Sequence, residues 1–295
     1  MSQLCRVYPE CPGWVAVKGD NMNTLPIGLF DSGVGGLTVL RAMRARMPGE
    51  SFLYLGDTAR LPYGTKSRDT IIRYALQVTA KLVERKIKLL VVACNTATAA
   101  SLPALRRAYP EIPVIGVVEP GARAACRASR GGDIAVIATE STIRGRAYDE
   151  AILRIRPDAR VIGLACPLFV PMVEDGLVEG ELAEGIAARY LDGIFRTPRE
   201  RGEKVPDCLV LGCTHFPLLA EAIAHVVGPD VTLVDSAATT AQAVKEILEK
   251  EGLCSRNERG ETSFMTTDDA ERFARMGGRF LGFPVPESRV ELVDL

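Results

Sequence analysis

Residues 89–96 read Leu-Leu-Val-Val-Ala-Cys-Asn-Thr, and residues 208–215 read Cys-Leu-Val-Leu-Gly-Cys-Thr-His. In each stretch an apolar run, typical of a strand buried on both faces of a parallel sheet, ends in a cysteine and small polar residues. These two cysteines, Cys94 and Cys213, lie 119 residues apart. The pattern predicts two similar strands that carry the same reactive group at their carboxyl ends.

The repeat extends to neighbouring strands. Short apolar runs alternate with helical stretches from residue 25 onward, which is typical of α/β architecture with parallel sheets. The predicted strands are 27–30, 52–55, 89–93, 114–118, 134–138, 161–164, 208–211 and 231–234. A chance match of apolar strands is the alternative to an internal duplication, and the matched cysteines favour duplication. We therefore expect two pseudo-symmetric α/β halves.

Composition excludes several classes of function. The 295 residues include 36 basic and 37 acidic side chains, and a net charge of −1 gives no electrostatic basis for binding nucleic acid or an anionic membrane. The longest apolar stretch, 163–173, is too short to span a bilayer. The N-terminus lacks the pattern of a signal peptide, and the eight cysteines form no CxxC pair, so we expect free thiols and a cytoplasmic protein.

Polar clusters follow several predicted strands, where ligands bind in parallel sheets. They are Asp31-Ser32-Gly33, Pro62-Tyr63-Gly64, Cys94-Asn95-Thr96 and Cys213-Thr214-His215. Backbone N–H groups and hydroxyls at helix N-termini suit a small carboxylate ligand. A helix N-terminus also lowers a thiol pKa toward neutrality, so we expect each cysteine to form a usable thiolate base or nucleophile. Two such thiols in facing halves would flank one ligand from opposite sides.

Other residues have simpler interpretations. We expect Cys126, Cys166, Cys208 and Cys254 to be buried apolar residues and His225 to be structural. The glycine-rich turn 31–36 has neither the dinucleotide-binding nor the P-loop spacing. A metal site formed by Cys94, Cys213, His215 and Asp31 is conceivable, but no close-spaced ligand pair supports it. Glu174 is either a solvated charge at a helix start or a group that assists proton transfer.

The combined motifs resemble the aspartate/glutamate racemase family, in the form typical of glutamate racemase. They are Asp-Ser-Gly-Val-Gly-Gly at 31–36, Leu-Pro-Tyr-Gly at 61–64, Ala-Cys-Asn-Thr-Ala-Thr at 93–98 and Gly-Cys-Thr-His-Phe-Pro-Leu-Leu at 212–219. Val-Asp-Ser-Ala at 234–237 is similar to the last core-strand motif of that family. The resemblance runs from about residue 25 to about residue 243.

The resemblance implies an overall organisation. It predicts two α/β domains, with mainly parallel sheets and the active site in the cleft between them. We expect residues 1–24 to be an N-terminal extension, 25–118 plus 236–295 the first domain, and 119–235 the second. The implied activity is racemisation of glutamate without a cofactor or metal, which supplies D-glutamate for peptidoglycan and hence for cell-wall biogenesis and cell shape. We expect a homodimer.

The resemblance also implies roles for individual residues. Cys94 would take the α-proton from D-glutamate, and Cys213 would take it from L-glutamate. Asp31 and His215 would assist the thiols, with Glu174 on the His215 side. The implied substrate-binding residues are Asp31, Ser32, Tyr63, Gly64, Asn95, Thr96, Thr214 and His215, with Thr139 and Thr142 in a less well-defined loop. Inversion of a stereocentre needs one group on each face, and two opposed thiols meet that requirement.

Three alternatives remain open at this stage. A hydrolase with Cys94 as its nucleophile predicts a single essential cysteine and a covalent intermediate. A protein that binds a dicarboxylate without converting it predicts indifference to thiol alkylation. A racemase for another amino acid differs only in how the side-chain carboxylate is held, and no arginine in the sequence is an evident partner for that group.

Overall fold

The computed structural model describes residues 22–295, so most of the predicted N-terminal extension lies outside the described residues. In this part of the chain the strands are β1 Ile27–Asp31, β2 Phe52–Gly56, β3 Leu89–Val92, β4 Val114–Gly116, β5 Asp133–Ala138, β6 Arg160–Ala165, β7 Cys208–Gly212, β8 Thr232–Asp235, β9 Thr262–Thr266 and β10 Val290–Leu292. The first four helices are α1 Leu37–Arg46, α2 Arg68–Glu84, α3 Asn95–Ala108 and α4 Val118–Ala128. They continue as α5 Glu140–Arg144, α6 Ala147–Ile155, α7 Phe169–Asp175, α8 Gly180–Leu191, α9 Arg196–Glu200, α10 Ala220–Val227, α11 Ser236–Glu251 and α12 Ala270–Leu281.

The strands form two parallel sheets. The first has the order β10-β9-β2-β1-β3-β4, and the second has the order β6-β5-β7-β8. All eight predicted strands are confirmed. The fourth is shorter than predicted, because the backbone turns into the helical conformation at Val117 and Val118 begins α4. The α/β class with parallel sheets is therefore confirmed.

The sheets confirm the internal duplication. The order β2-β1-β3-β4 within the first sheet is repeated as β6-β5-β7-β8 in the second. Ile27 pairs with Leu89 between β1 and β3, and Ile134 pairs with Cys208 between β5 and β7. Because the registers are equivalent, the polar residues that follow β3 and β7 occupy equivalent positions in the two halves.

The last two strands were not predicted from the sequence. β9 pairs with β2, and β10 extends the sheet beyond it. The β9 sequence Thr-Ser-Phe-Met-Thr is polar at its ends and buried only from Phe264 onward, so it lacks the continuous apolar run that marks a central strand. Since residues after 236 return to the first sheet, we propose the domain boundaries expected from the sequence.

Strands β1 to β4 of the first sheet are buried on both faces. Leu90 and Val92 of β3 lie in one apolar cluster with residues of α2 and α3, whereas Leu89 and Val91 lie in another with residues of α1, α11 and α12. The second cluster continues into the other half, where it includes Leu209 and residues of α7, α8 and α10. A shared apolar core thus connects the two sheets. Among the described residues no helix is both long and apolar enough to cross a membrane.

Candidate active site

A cavity of about 250 Å³ lies where the carboxyl ends of strands from the two sheets face each other. Its wall includes ten of the residues singled out from the sequence: Ser32, Tyr63, Gly64, Cys94, Asn95, Thr96, Glu174, Cys213, Thr214 and His215. Apolar side chains that sequence analysis did not identify complete the wall, among them Leu61, Val170 and Pro171. Thr139, predicted as part of a less well-defined loop, also lines the cavity, whereas Asp31 and Thr142 are not part of the wall.

Cys94 lies at the start of α3, as its position after an apolar strand predicts. Its Sγ accepts the Ala97 N–H at 3.4 Å and lies 3.8 Å from Ser32 Oγ. Burial, followed by the negative charge of Asp31, nevertheless raises the pKa of the Cys94 thiol to about 12. The expectation that the helix N-terminus lowers this pKa is therefore wrong, because the loss of solvation outweighs the N–H contact.

Asp31 lies behind the cavity wall at the end of β1. It is 1% exposed, and its Oδ2 accepts the Gly33 N–H at 3.1 Å. Burial raises the pKa of this carboxyl group, while the charge of His215 and the backbone N–H groups of Gly36 and Gly33 oppose the rise. Asp31 thus acts on Cys94 through its charge, although it does not line the cavity.

Cys213 follows β7 and has a histidine for a neighbour. His215 Nδ1 lies 3.9 Å from Cys213 Sγ, and His215 Nε2 lies 3.3 Å from Glu174 Oε1. Burial alone would lower the pKa of His215, but its bonds to Cys213 and Glu174 raise that pKa to about 10. At neutral pH the imidazole is therefore positively charged beside the thiol.

Glu174 lies in the last turn of α7, so the interpretation of this residue as a helix-start charge is wrong. The C-terminal helix α12 supports this corner of the cavity. Arg279 Nη1 donates to the backbone oxygen of Glu174 at 3.0 Å, and the ring of Phe280 meets the His215 ring edge-on with centroids 5.0 Å apart. Cys213, His215 and Glu174 thus form a chain of polar contacts along the cavity wall.

Tyr63 lies in a loop that is anchored by a buried carboxylate. Its hydroxyl donates to Asp57 Oδ2, and the Arg60 Nε atom donates to both Asp57 oxygens at 3.0 and 2.8 Å. Thr267 also donates to Asp57 Oδ1, at 3.1 Å. The Tyr63 hydroxyl is therefore already engaged, and this residue presents its ring and backbone to the cavity. Asp57 was not identified from the sequence as a site residue, although it directly follows β2 and Asp31 is the last residue of the neighbouring strand β1.

Three threonine hydroxyls join the two halves at another edge of the cavity. Thr96 Oγ1 lies 2.9 Å from Thr139 Oγ1 and 3.2 Å from Thr142 Oγ1. Thr139 lines the cavity and caps α5, and Thr142 is buried behind it. These contacts join α3 of the first half to α5 of the second.

The remaining cysteines and histidine lie outside the cavity. Cys166 and Cys208 are fully buried, whereas Cys126 and Cys254 are only half-buried. His225 is an exposed residue, and its Nδ1 lies 2.9 Å from Glu184 Oε1. It does not line the cavity, and its exposed position gives it no part in the core. Within residues 22–295, no cluster of three His, Cys, Asp or Glu side chains could hold a metal ion.

Comparisons with known proteins agree on one family. Residues 37–244 match the Asp/Glu/hydantoin racemase family. The glutamate racemase of Geobacter metallireducens is 51% identical over 257 residues, which cover 87% of this chain and 92% of that protein. The crystal structure of the Francisella tularensis glutamate racemase in complex with D-glutamate matches with a TM-score of 0.83 at 34% identity, covering 92% of this chain and 98% of the other. The Thermus thermophilus glutamate racemase, in complex with β-chloro-D-alanine, has a TM-score of 0.82 at 43% identity, with coverages of 92% and 98%.

Proposed function

The chain belongs to the Asp/Glu/hydantoin racemase family, and we propose that it interconverts L- and D-glutamate by proton transfer between two thiols. One observation carries the proposal: Cys94 and Cys213 follow equivalent strands of two facing sheets and line the same cavity. Removal of the α-proton from one face and delivery to the other requires two groups on opposite sides of the α-carbon. We propose that Cys94 and Cys213 are these two groups.

We propose that Cys213 removes the α-proton of L-glutamate. His215 is charged at neutral pH and lies 3.9 Å from Cys213 Sγ, so a cation lies beside the proposed base. Glu174 holds the imidazolium from its other nitrogen at 3.3 Å. Delivery of a proton to the opposite face by the Cys94 thiol then completes the inversion to D-glutamate.

The reverse reaction uses Cys94 as the base. Burial and the charge of Asp31 favour the protonated form of the Cys94 thiol, and this is the form that delivers a proton when L-glutamate is converted. One turnover moves a proton from Cys94 to the product and another from the substrate to Cys213, which leaves the enzyme set for D-glutamate. We propose that Asp31 is a positioning residue that acts through Cys94 and makes no substrate contact in this conformation.

The substrate must be held while a very weak carbon acid loses its proton. We propose that Ser32, Asn95, Thr96 and Thr214 hold the carboxylates and ammonium of glutamate, together with the backbone at Tyr63 and Gly64, and that His215 contributes on the Cys213 side. Fixed donors aimed at a carboxylate stabilise the negative charge that develops on it in the transition state. Their effect is larger in a cavity from which water is excluded.

The finer assignments rest on the family resemblance. We propose that the reaction needs no added cofactor, because the two thiols perform both proton transfers. We also propose that the enzyme is a cytoplasmic homodimer that acts on glutamate alone and not on nucleic acid or membranes. Its product would supply D-glutamate for peptidoglycan, and sedimentation of the purified chain tests the dimer.

Separate substitution of the two thiols tests the proposed function. Wild-type protein, Cys94→Ala and Cys213→Ala are each incubated with L-glutamate without added cofactor, and optical rotation is followed. Both variants are expected to lose racemisation. Cys208→Ala is the matched control, because Cys208 is fully buried at the start of the strand that Cys213 follows. Retained activity in either active-site variant, or a stable acyl-enzyme on Cys94, would favour the hydrolase alternative.

A further inference from the structure

Tyr148 does not line the cavity, but it donates a hydrogen bond to Asn95, which does. Tyr148 belongs to α6 in the second half and is 2% exposed, whereas Asn95 begins α3 in the first half. The Tyr148 hydroxyl donates to Asn95 Oδ1 at 2.7 Å. This hydrogen bond therefore crosses from one half of the molecule to the other.

Of the two polar atoms of the Asn95 amide, Oδ1 accepts a hydrogen bond from Tyr148 and Nδ2 donates none to a described group. Its side chain is 3% exposed and lines the cavity, and no described group accepts a hydrogen bond from its Nδ2 atom. A buried amide donor without a partner costs free energy, and because Asn95 lines the cavity, an acceptor on a ligand there would satisfy it. A carboxylate accepts hydrogen bonds only, so it matches Nδ2 and does not match Oδ1.

The orientation of the amide depends on the direction of the Tyr148 hydrogen bond. The phenol carries one hydrogen, and Tyr148 donates it to Asn95 Oδ1. Oδ1 is therefore held toward Tyr148, and Nδ2 is the end of the amide that has no partner among the described residues.

Tyr148 also lies where the chain passes between the two halves. Ser236 follows β8, where the chain returns from the second half to the first. Gly121 lies in α4, just after the chain has passed from the first half to the second. A Cβ atom placed on Gly121 would lie 3.3 Å from both the Cε1 and hydroxyl atoms of Tyr148 and 3.6 Å from Ser236 Cβ. The tyrosine ring is therefore packed against both connections, and its position depends on how the halves are arranged.

We propose that Tyr148 is a positioning residue that fixes the Asn95 amide so that Nδ2 donates to a carboxylate of the substrate. The inference rests on the proposed function only for the identity of that substrate. Tyr148 thereby makes carboxylate binding depend on the relative placement of the two halves. Since Asn95 contacts the carboxylate in both the ground state and the transition state, loss of Tyr148 should act on binding more than on turnover.

Tyr148→Phe removes the hydroxyl and keeps the ring. We expect the Kd of D-glutamate, measured by calorimetry, and KM for both enantiomers to rise by about tenfold, with kcat changed less than about twofold. The matched control is Tyr190→Phe, because the Tyr190 hydroxyl accepts the Leu168 N–H at 3.2 Å and does not line the cavity. A purely structural role for Tyr148 would lower the thermal midpoint and the active fraction while Kd and KM stay at the wild-type values, and that result would overturn the proposal.

A double-mutant cycle tests whether Tyr148 acts through Asn95. In an Asn95→Ala background, Tyr148→Phe should have no further effect on Kd, because the amide that it orients is absent. The same tenfold factor in both backgrounds would overturn the inference. Asn95→Asp supplies a test that does not need Tyr148→Phe to fold: it replaces the donor by an anionic oxygen and should bind D-glutamate more weakly than Asn95→Ala, and equal or tighter binding would contradict the inference.

The two proposals can fail separately. If the wild-type protein binds D-glutamate and does not racemise it, the proposed function is wrong, and the Kd measurements still decide the role of Tyr148. If the wild-type protein racemises glutamate and Tyr148→Phe leaves Kd and KM unchanged, only the inference about Tyr148 is wrong. A wild-type protein that does not bind glutamate would overturn both.

Discussion

The two cavity thiols have chemically different neighbours, although they follow equivalent strands. Cys94 lies beside the carboxyl group of Asp31, and its pKa is raised to about 12 by burial and by that carboxyl. Cys213 lies beside the imidazolium of His215. The reaction is symmetric, but the two thiols are not equivalent. Burial and Asp31 favour the protonated form of Cys94, whereas the imidazolium of His215 lies beside Cys213.

The role of Glu174 predicts a change in the pH dependence of activity. Its hydrogen bond to His215 Nε2 raises the pKa of the imidazole, so the charged form persists below about pH 10 and is lost above it. Activity should therefore fall near pH 10 in the wild type, and in Glu174→Gln the fall should move to lower pH. We also expect kcat/KM at pH 8 to drop by about tenfold, because a hydrogen bond to a charged group contributes roughly 1.5–3 kcal/mol. The measurement is a pH profile of kcat/KM.

Two features of that experiment make it specific. Racemisation has an equilibrium constant of one, so kcat/KM must be equal in the two directions at every pH, and unequal profiles would indicate an assay artefact. Asp175→Asn is the control, since Asp175 is the exposed next residue of the same helix. A profile of Glu174→Gln that superimposes on that of the wild type would show that Glu174 does not set the charge of His215.

Sequence motifs identified most residues of the cavity wall but not the residues that orient them. Cys94, Cys213 and His215 occur in short runs that end strands, so their joint position follows from the rule for parallel sheets. Asp57 and Tyr148 were missed because their roles depend on side chains distant in the sequence. Asp57 accepts a hydrogen bond from Thr267, and Tyr148 donates one to Asn95, 53 residues earlier in the chain. No local pattern contains such pairs.

At the scale of elements, the segment between β2 and α2 is anchored by a buried carboxylate, Asp57. Asp57 is fully buried and holds Arg60, Tyr63 and Thr267 together. The Arg60 guanidinium also lies over the Tyr74 ring, 4.1 Å from its centroid. The segment that carries Tyr63 and Gly64 is therefore fixed to the first sheet before any ligand arrives.

Removal of this anchor should affect stability and binding together. Asp57→Ala leaves the guanidinium of Arg60 and the Tyr63 hydroxyl without their acceptor, and breaking a buried ion pair from one side costs about 3–5 kcal/mol. We expect a loss of that size in the free energy of unfolding in urea, with a higher KM for glutamate. Asp69→Ala, at an exposed position in the first turn of α2, should change neither. A stability equal to that of the wild type would show that the Asp57 network contributes nothing net.

Element prediction succeeded where burial is two-sided and failed at the sheet edge. The central strands can be recognised in the sequence by their continuous apolar runs, but β9 and β10 are short and partly exposed. The position of Glu174 was misjudged for a related reason. α7 begins at Phe169 with an apolar turn and no capping side chain, so the sequence does not mark its start and the glutamate falls in its last turn.

At the scale of the whole molecule, the two halves approach each other closely beside Cys213. Thr38 Oγ1 of α1 lies within hydrogen-bonding distance of Thr214 O, at 3.1 Å. A Cβ atom on Gly35 would lie 2.3 Å from Thr214 Oγ1 and 2.6 Å from His215 Nδ1. Only a glycine at position 35 lets the turn before α1 lie against this corner of the cavity.

Gly35→Ala should therefore displace the Cys213 side of the site. The added methyl group must push away Thr214 or His215, and a misplacement of about 1 Å near the reacting groups can lower activity by about 100-fold. We expect kcat/KM to fall by about that factor, as measured with either enantiomer. Gly185→Ala is the control, because a Cβ atom on Gly185 meets nothing within 4 Å. Wild-type kcat/KM in Gly35→Ala would mean that the two halves separate readily at this contact.

The overall plan could be read from the sequence to a large extent. The duplicated strands predicted two similar sheets, and the family resemblance predicted a cleft between them. The way in which the halves meet could not be predicted, because it depends on an apolar core shared by both sheets and on single contacts such as Gly35 against His215. These contacts join residues that are about 180 positions apart.

The central claim, that two thiols act on opposite faces of the α-carbon, is tested most directly by the isotope content of the first product. Protein equilibrated in deuterated water is given unlabelled L-glutamate, and product and residual substrate are analysed by mass spectrometry before a few per cent of the substrate has reacted. The two-thiol account predicts D-glutamate that carries one deuterium at the α-carbon, with L-glutamate still unlabelled, because the delivered hydrogen comes from the second thiol. D-glutamate that retains the original hydrogen would show that a single group moves the same proton between faces, and it would contradict the account.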